Sequence, residues 1–103
     1  MNFLQHQRDF MKLLIDHYGH ESQKMMLLEE MAELQKEICK EFRGELNKEA
    51  ITEEVADVLI MLEQVQMMYD ISDIRLLEIT NEKLVRQLRR IIDEKVELSD
   101  TSV

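Results

Sequence analysis

Apolar residues recur every three or four positions along most of the chain, a spacing that predicts amphipathic α-helices rather than β-strands. Gly19 and Gly44 interrupt this spacing, and a polar turn at 70–73 interrupts it again. The predicted helices cover residues 2–17, 21–43, 52–69 and 74–96, with Thr52 as the N-cap of the third. The sequence therefore predicts an all-α protein, a four-helix bundle in which short connections join antiparallel neighbours.

Composition supports one small helical protein. The chain has 103 residues, no Pro and only two Gly, and we expect one helical domain at 1–97 with a flexible tail at 98–103. The single Cys39 excludes an intramolecular disulfide. A net charge of -9 argues against a nucleic-acid partner, and no uninterrupted apolar stretch is long enough for a membrane span, so we expect a cytoplasmic protein.

The third helix is apolar on nearly all sides. Its main stripe contains Val55, Val58, Leu59, Leu62 and Val65, whereas Ala56, Ile60 and Met67 lie on the opposite side. A helix of this kind has to be buried nearly all round. Because four helices in one small bundle rarely enclose one of their own, we expect a second subunit to cover this surface.

Two hexamers, EEMAEL at 29–34 and EEVADV at 53–58, repeat the same acidic signature. Their first, second and fifth positions share one side of a helix. The six acids are Glu29, Glu30, Glu33, Glu53, Glu54 and Asp57. Carboxylates clustered at a helix seam need a cation or must take up protons, and an all-oxygen ligand set favours Mg²⁺ or Mn²⁺ over Zn²⁺. One such hexamer alone is typical of a solvated face, but two matched copies favour a metal site.

The two acidic hexamers differ in their distance from the turn between their helices. In a plain hairpin, Glu30 and Glu54 would be offset by about 13 Å along the helix axes. An extended linker at 44–50 would remove this offset, whereas a helical linker would keep the two clusters apart within one subunit.

The EExxE helix followed by an ExxD helix, together with Gln23 and a later Lys-Leu-x-Arg-x-x-x-Arg segment, resembles the MazG-like all-α nucleoside triphosphate pyrophosphohydrolases. The resemblance covers residues 18–90. It implies an all-α NTP pyrophosphatase-like bundle, a homodimer or a dimer of dimers, that hydrolyses (d)NTPs to monophosphates and pyrophosphate with Mg²⁺. It also implies that the metal ligands are Glu30, Glu33, Glu54 and Asp57.

The resemblance also implies that Glu29 and Glu53 are further acids of the site, which could bind a second ion or orient water. Either Glu29 or Glu53 could serve as the general base, and the sequence does not decide between them. Lys83, Arg86 and Arg90 lie within about 60° of one another on the last helix, and the resemblance favours a phosphate-binding role for them. A solvated face with i,i+4 ion pairs is the alternative.

Gln23 could line a base pocket, although a Gln on a helix is usually exposed to solvent. Two other functions fit the same residues. One is a helical interaction or regulatory module without turnover. The other is a pyrophosphohydrolase for a phosphoribosyl or modified nucleotide.

Overall fold

The computed structural model describes residues 2–101, which form four helices and no strand. The helices are α1 (Gln5–Tyr18), α2 (His20–Phe42), α3 (Lys48–Met68) and α4 (Asp73–Thr101). The prediction of an all-helical chain with four helices is confirmed. No helix among these residues combines the length and the apolar character needed to cross a bilayer.

Helix α1 begins later than predicted but ends where Gly19 predicts. Leu4 is extended, with φ -71° and ψ 155°, and its backbone N–H donates to Oε1 of Gln7 at 2.8 Å. At the other end Gly19 has φ +90°, which L side chains rarely adopt, and its N–H donates to the carbonyl of Ile15 at 2.8 Å. Helix α2 starts at the next residue, so Gly19 alone makes the turn.

The predicted start of α3 at Thr52 is wrong. The helix begins four residues earlier, at Lys48, with Asn47 in the N-cap position. Thr52 instead lies inside the helix, where its Oγ1 donates to the Lys48 carbonyl at 2.8 Å. Lys, Glu and Ala at 48–50 are strong helix formers, and their propensity outweighs the preference of Thr for an N-cap.

The predicted end of α4 at Val96 is also wrong, because the helix continues to Thr101. It begins after Ser72, whose Oγ accepts a hydrogen bond from the Arg75 N–H at 3.1 Å. The predicted tail at 98–103 is therefore helical as far as Thr101, and residues 102–103 lie outside the described part of the chain.

The chain forms two compact units, one up to Asp70 and one from Ile71 onward. In the first unit α2 and α3 pack along each other, and α1 packs against both. The buried apolar side chains of this unit are Met11, Ile15 and Met61. An ion pair between Arg8 Nε and Glu63 Oε1, 2.9 Å apart, ties α1 to α3. The second unit contains α4.

The predicted main stripe of α3 is only partly buried, because Val55 and Leu62 are 39% and 47% exposed and its other three members are half-buried. Met61 lies on nearly the same azimuth as Glu54 and is buried. The row of α3 that carries Glu54 therefore faces inward, where Glu54 meets Glu30 of α2. Burial of α3 on all sides is not achieved within one subunit, and its covering by a second subunit stays a prediction.

Asn47 fixes how α3 is aligned against α2. Its Nδ2 donates to the backbone carbonyl of Glu37 and to Oε2 of the Glu37 side chain, each at 2.8 Å. Glu37 lies five residues before the end of α2, so the linker runs back beside α2 before α3 begins. The carboxylate of Glu37 also accepts from Lys40 Nζ at 3.0 Å. The pKa of Glu37 is consequently lowered, first by the Asn47 amide and then by Lys40.

Acidification is expected to weaken this junction. Because the pKa of Glu37 in the folded protein lies below its ordinary value of 4.5, the carboxylate contributes stability above that pH. The contribution is lost as the pH falls through the folded pKa. Glu37→Gln should therefore show a smaller drop in unfolding free energy than the parent between about pH 7 and about pH 3, measured by urea denaturation.

Glu41→Gln is the matched control, since Glu41 is exposed on the same helix. It should keep the acid dependence of the parent. Equal pH profiles for Glu37→Gln and the parent protein would contradict a role for Glu37 in this junction.

Candidate metal centre

The alignment set by Asn47 brings the two acidic hexamers together. Glu30 lies seven residues before Glu37, and Glu54 lies seven residues after Asn47, so antiparallel packing places Glu30 opposite Glu54. The predicted linker at 44–50 is non-helical at 44–47 and helical only at 48–50, and the two clusters meet within one subunit. The backward run of residues 43–47 removes the offset.

Three carboxylates converge between α2 and α3. One oxygen from each of Glu30, Glu54 and Asp57 lies within 4.8 Å of the other two. Glu30 and Glu54 are half-buried. No Lys or Arg ion pair to these three acids is found among residues 2–101. The cluster therefore concentrates negative charge where solvent screening is reduced.

Burial and the neighbouring carboxylates together shift the pKa of Glu30. The pKa of Glu30 is raised, first by burial of its carboxyl group and then by the negative charges of Asp57 and Glu54, with hydrogen bonds to both carboxyls adding to the shift. Oε2 of Glu54 is buried and has no hydrogen-bond partner among the described residues. Both features leave acceptor oxygens whose charge a bound cation would balance.

The spacing of the oxygens fits one hard divalent ion. Mg²⁺ holds its ligands at about 2.1 Å, so oxygens on opposite sides of the ion are about 4.2 Å apart, and larger ions such as Ca²⁺ span about 5 Å. Separations within 4.8 Å fall inside or near these limits. Small side-chain movements would bring all three oxygens into one coordination sphere, with water or substrate oxygens completing it.

Three further predicted acids lie outside this group. Glu29, Glu33 and Glu53 are exposed, and none of them belongs to the three converging carboxylates. The exposed position of Glu29 and Glu53 leaves them accessible to a water molecule or a phosphate. The assignment of Glu33 as a fourth metal ligand stays a prediction.

Two glutamines are buried in this unit, and the sequence identified only one of them as a candidate. Gln23 is 6% exposed rather than lying on the solvent side of α2. Gln64 is 1% exposed, and its Oε1 and Nε2 have no hydrogen-bond partner among residues 2–101. Gln64 follows Asp57 by seven residues, and this heptad spacing was the available sequence signal.

The predicted phosphate-binding residues belong to the second unit. Lys83, Arg86 and Arg90 are exposed on α4. Arg75 and Glu78 show that ion pairs of the ordinary helical kind do occur on this helix, with Nη1 and Oε2 3.2 Å apart. The structure describes no ion pair of this kind for the three predicted residues among residues 2–101.

The structure thus shows an all-helical chain with a cluster of three carboxylates between two antiparallel helices. Comparison with models of known protein families, with curated proteins and with solved structures found no match. The resemblance to MazG-like enzymes therefore depends on the acidic and basic motifs of the sequence itself.

Neutralising one carboxylate should stabilise the metal-free protein. In buffer containing a chelator, Glu30→Gln is expected to raise the melting temperature by about 4 °C, because it removes repulsion from Glu54 and Asp57. Glu29→Gln is the control at an adjacent, exposed position and should leave the melting temperature unchanged. A lower melting temperature for Glu30→Gln would contradict the repulsion argument.

Proposed function

We propose that this protein is a Mg²⁺-dependent nucleoside triphosphate pyrophosphohydrolase that converts a (d)NTP to the monophosphate and pyrophosphate. The observation that carries the proposal is the convergence of Glu30, Glu54 and Asp57 from two matched hexamers. The resemblance of both hexamers and of the later basic segment to MazG-like enzymes supports the reaction class.

The charge balance of the site supports a metal-bridged substrate. A triphosphate carries about four negative charges, so bare carboxylates would repel it. A divalent ion held by Glu30, Glu54 and Asp57 would polarise the phosphoryl oxygens and offset the charge of the pyrophosphate leaving group. Mn²⁺ fits the same oxygen ligands.

The chain itself supplies candidates for proton transfer. Glu29 and Glu53 precede the proposed ligands Glu30 and Glu54 by one residue, and both are exposed. Either carboxylate could accept the proton of the attacking water. Gln23, which is buried and belongs to α2, is proposed to contact the nucleotide base.

Basic residues on α4 are proposed to bind the phosphates. Lys83, Arg86 and Arg90 are exposed and occupy one side of the helix, where three positive charges can engage the α-, β- and γ-phosphates. Phosphate binding by basic side chains does not require a glycine-rich phosphate loop, and the sequence contains no such loop.

Self-association is part of the proposal. Among residues 2–70, as the structure describes them, only three apolar side chains are buried, a small core for a unit of this size. Leu13, Leu28 and Met31 are 64%, 60% and 49% exposed. Contact with a second copy would remove such surface from water, which supports a homodimer or a dimer of dimers.

Loss of one ligand should abolish turnover. The parent protein, mixed with Mg²⁺ and a panel of (d)NTPs, is expected to release pyrophosphate. Glu54→Gln should reduce the rate by about 100-fold or more, because mutation of residues that merely support metal ligands already reduces activity by about 10- to 100-fold. Glu49→Gln is the control, because Glu49 is exposed in the first turn of the same helix.

Thermal melting with and without Mg²⁺ separates the proposed enzyme from a non-catalytic module. Binding to the native state raises the melting temperature, and Glu54→Gln should lose this shift. The proposal would be contradicted if the protein released no pyrophosphate from ordinary or modified nucleotides and Mg²⁺ did not change its melting temperature. A Mg²⁺ shift without any release would favour an interaction or regulatory module.

The phosphate-binding role of α4 has its own test. Arg86→Ala should raise the KM for the triphosphate about tenfold, because a charge-assisted hydrogen bond to phosphate is lost. Arg89→Ala is a matched control, since Arg89 lies on a different side of the same helix. Equal KM values for the two variants would show that Arg86 does not bind the phosphates.

A further inference from the structure

Helix α4 carries a seven-residue repeat that the proposed activity does not use. Leu77, Leu84, Ile91 and Leu98 follow one another at intervals of seven, which we define as the d row. The a row, three residues before each member of the d row, is Ile74, Asn81, Leu88 and Lys95. The six Leu and Ile residues of these rows are between 50% and 71% exposed. Apart from Asn81 and Lys95, the two rows form an apolar seam along a helix of 29 residues.

We propose that α4 pairs with α4 of a second copy as a parallel, in-register, two-stranded coiled coil. A strict seven-residue repeat keeps apolar side chains facing a partner helix over several turns. At 1.5 Å per residue, α4 is about 43 Å long, enough for four heptads. The pairing goes beyond the proposed function and requires neither metal nor nucleotide.

The polar residue in the middle of the seam favours a second copy as the partner. In a parallel pair, equivalent a positions face each other, so Asn81 would face the partner's Asn81. An amide both donates and accepts hydrogen bonds, which makes Asn complementary to itself. In an antiparallel pair, a positions pack against d positions, and Asn81 would lie against Leu or Ile without a hydrogen-bond partner. A single Asn at an a position is a known determinant of parallel register.

The charged residue of the seam fits the same arrangement. Lys95 is in the last a position, and residues immediately before an a position flank the seam of a parallel pair. That flanking residue is Glu94. The ammonium of Lys95 can therefore reach the partner's Glu94, an opposite-charge contact made twice by symmetry.

The flanks of the central heptads are uncharged. Thr80 and Gln87 precede a positions, and in a parallel pair they would lie beside Val85 and Ile92 of the partner subunit. The hydroxyl of Thr80 already donates to the Leu76 carbonyl at 2.8 Å, so its hydrogen-bonding demand is met within the helix. These pairs extend the apolar seam without burying a charge.

The proposed pairing leaves the basic residues of α4 accessible. Lys83, Arg86, Arg89 and Arg90 all lie outside the a and d rows and outside their flanking positions. They are exposed in the structure. Pairing through the seam and phosphate binding on the outer side can therefore occur on the same helix, and each can be tested without the other.

Disulfide trapping in the full-length chain tests both the pairing and its direction. Cys39 is exposed, so it is first replaced by Ser. Leu77→Cys and Leu98→Cys are then made singly, at opposite ends of the d row. Ile74→Cys is made at the a position that would face Leu98 in an antiparallel pair. Each protein is oxidised mildly without metal or nucleotide and analysed by non-reducing electrophoresis. Arg89→Cys, on the outer side of α4, is the control.

A parallel pair predicts that Leu77→Cys and Leu98→Cys each form covalent dimers, whereas Arg89→Cys stays largely monomeric. Trapping of Leu98→Cys only with Ile74→Cys, in a mixture of the two, would show an antiparallel pair and overturn the proposal. Absence of trapping at both positions would also overturn it. Far-UV circular dichroism of each variant checks that helix content is retained.

A second variant tests the role of Asn81. In the parallel pair, Asn81→Leu removes the polar residue that disfavours other registers. This change should allow Ile74→Cys and Leu98→Cys to be trapped with each other, in addition to the pairing of Leu98→Cys with itself. If Asn81→Leu leaves the trapping unchanged, Asn81 does not determine the direction of pairing and that part of the proposal fails.

Discussion

The two hydrogen bonds from Asn47 to Glu37 fix the alignment of the α2–α3 hairpin, and the candidate site depends on that alignment. Helices could slide past each other by one turn, about 5.4 Å, while keeping many of their apolar contacts. A slide of that size would separate Glu30 from Glu54. The side-chain amide of Asn47 opposes such a slide because it bonds at once to a backbone carbonyl and to a carboxylate.

Local charge in the hairpin is arranged in two opposite ways. At Glu37, an amide and an ammonium stabilise the carboxylate and lower its pKa. Two turns away, Glu30 lies beside the carboxyls of Asp57 and Glu54, and its pKa is raised by burial and repulsion. The first arrangement stabilises the α2–α3 hairpin. The second is unfavourable by itself, and a cation shared by the three carboxylates would balance its charge.

The distribution of apolar residues supports association through more than one surface. The α1–α3 unit buries Met11, Ile15 and Met61 but leaves aliphatic residues on each helix exposed. Helix α4 presents a separate apolar seam with its own polar register residue, Asn81. Two different surfaces per chain would be consistent with a dimer of dimers, in which each surface forms one kind of contact.

The sequence by itself determined the helical class, the end of α1 at Gly19 and the two acidic hexamers that contain the candidate site, because these follow from periodicity, backbone sterics and residue type. It did not determine the start of α3, since local propensities at 48–50 and Thr52 compete. Only tertiary structure decided that Asn47 reaches Glu37, that Glu30, Glu54 and Asp57 form the cluster, and that Gln64 is buried. These facts depend on the relative position of two helices, which a one-dimensional pattern does not contain.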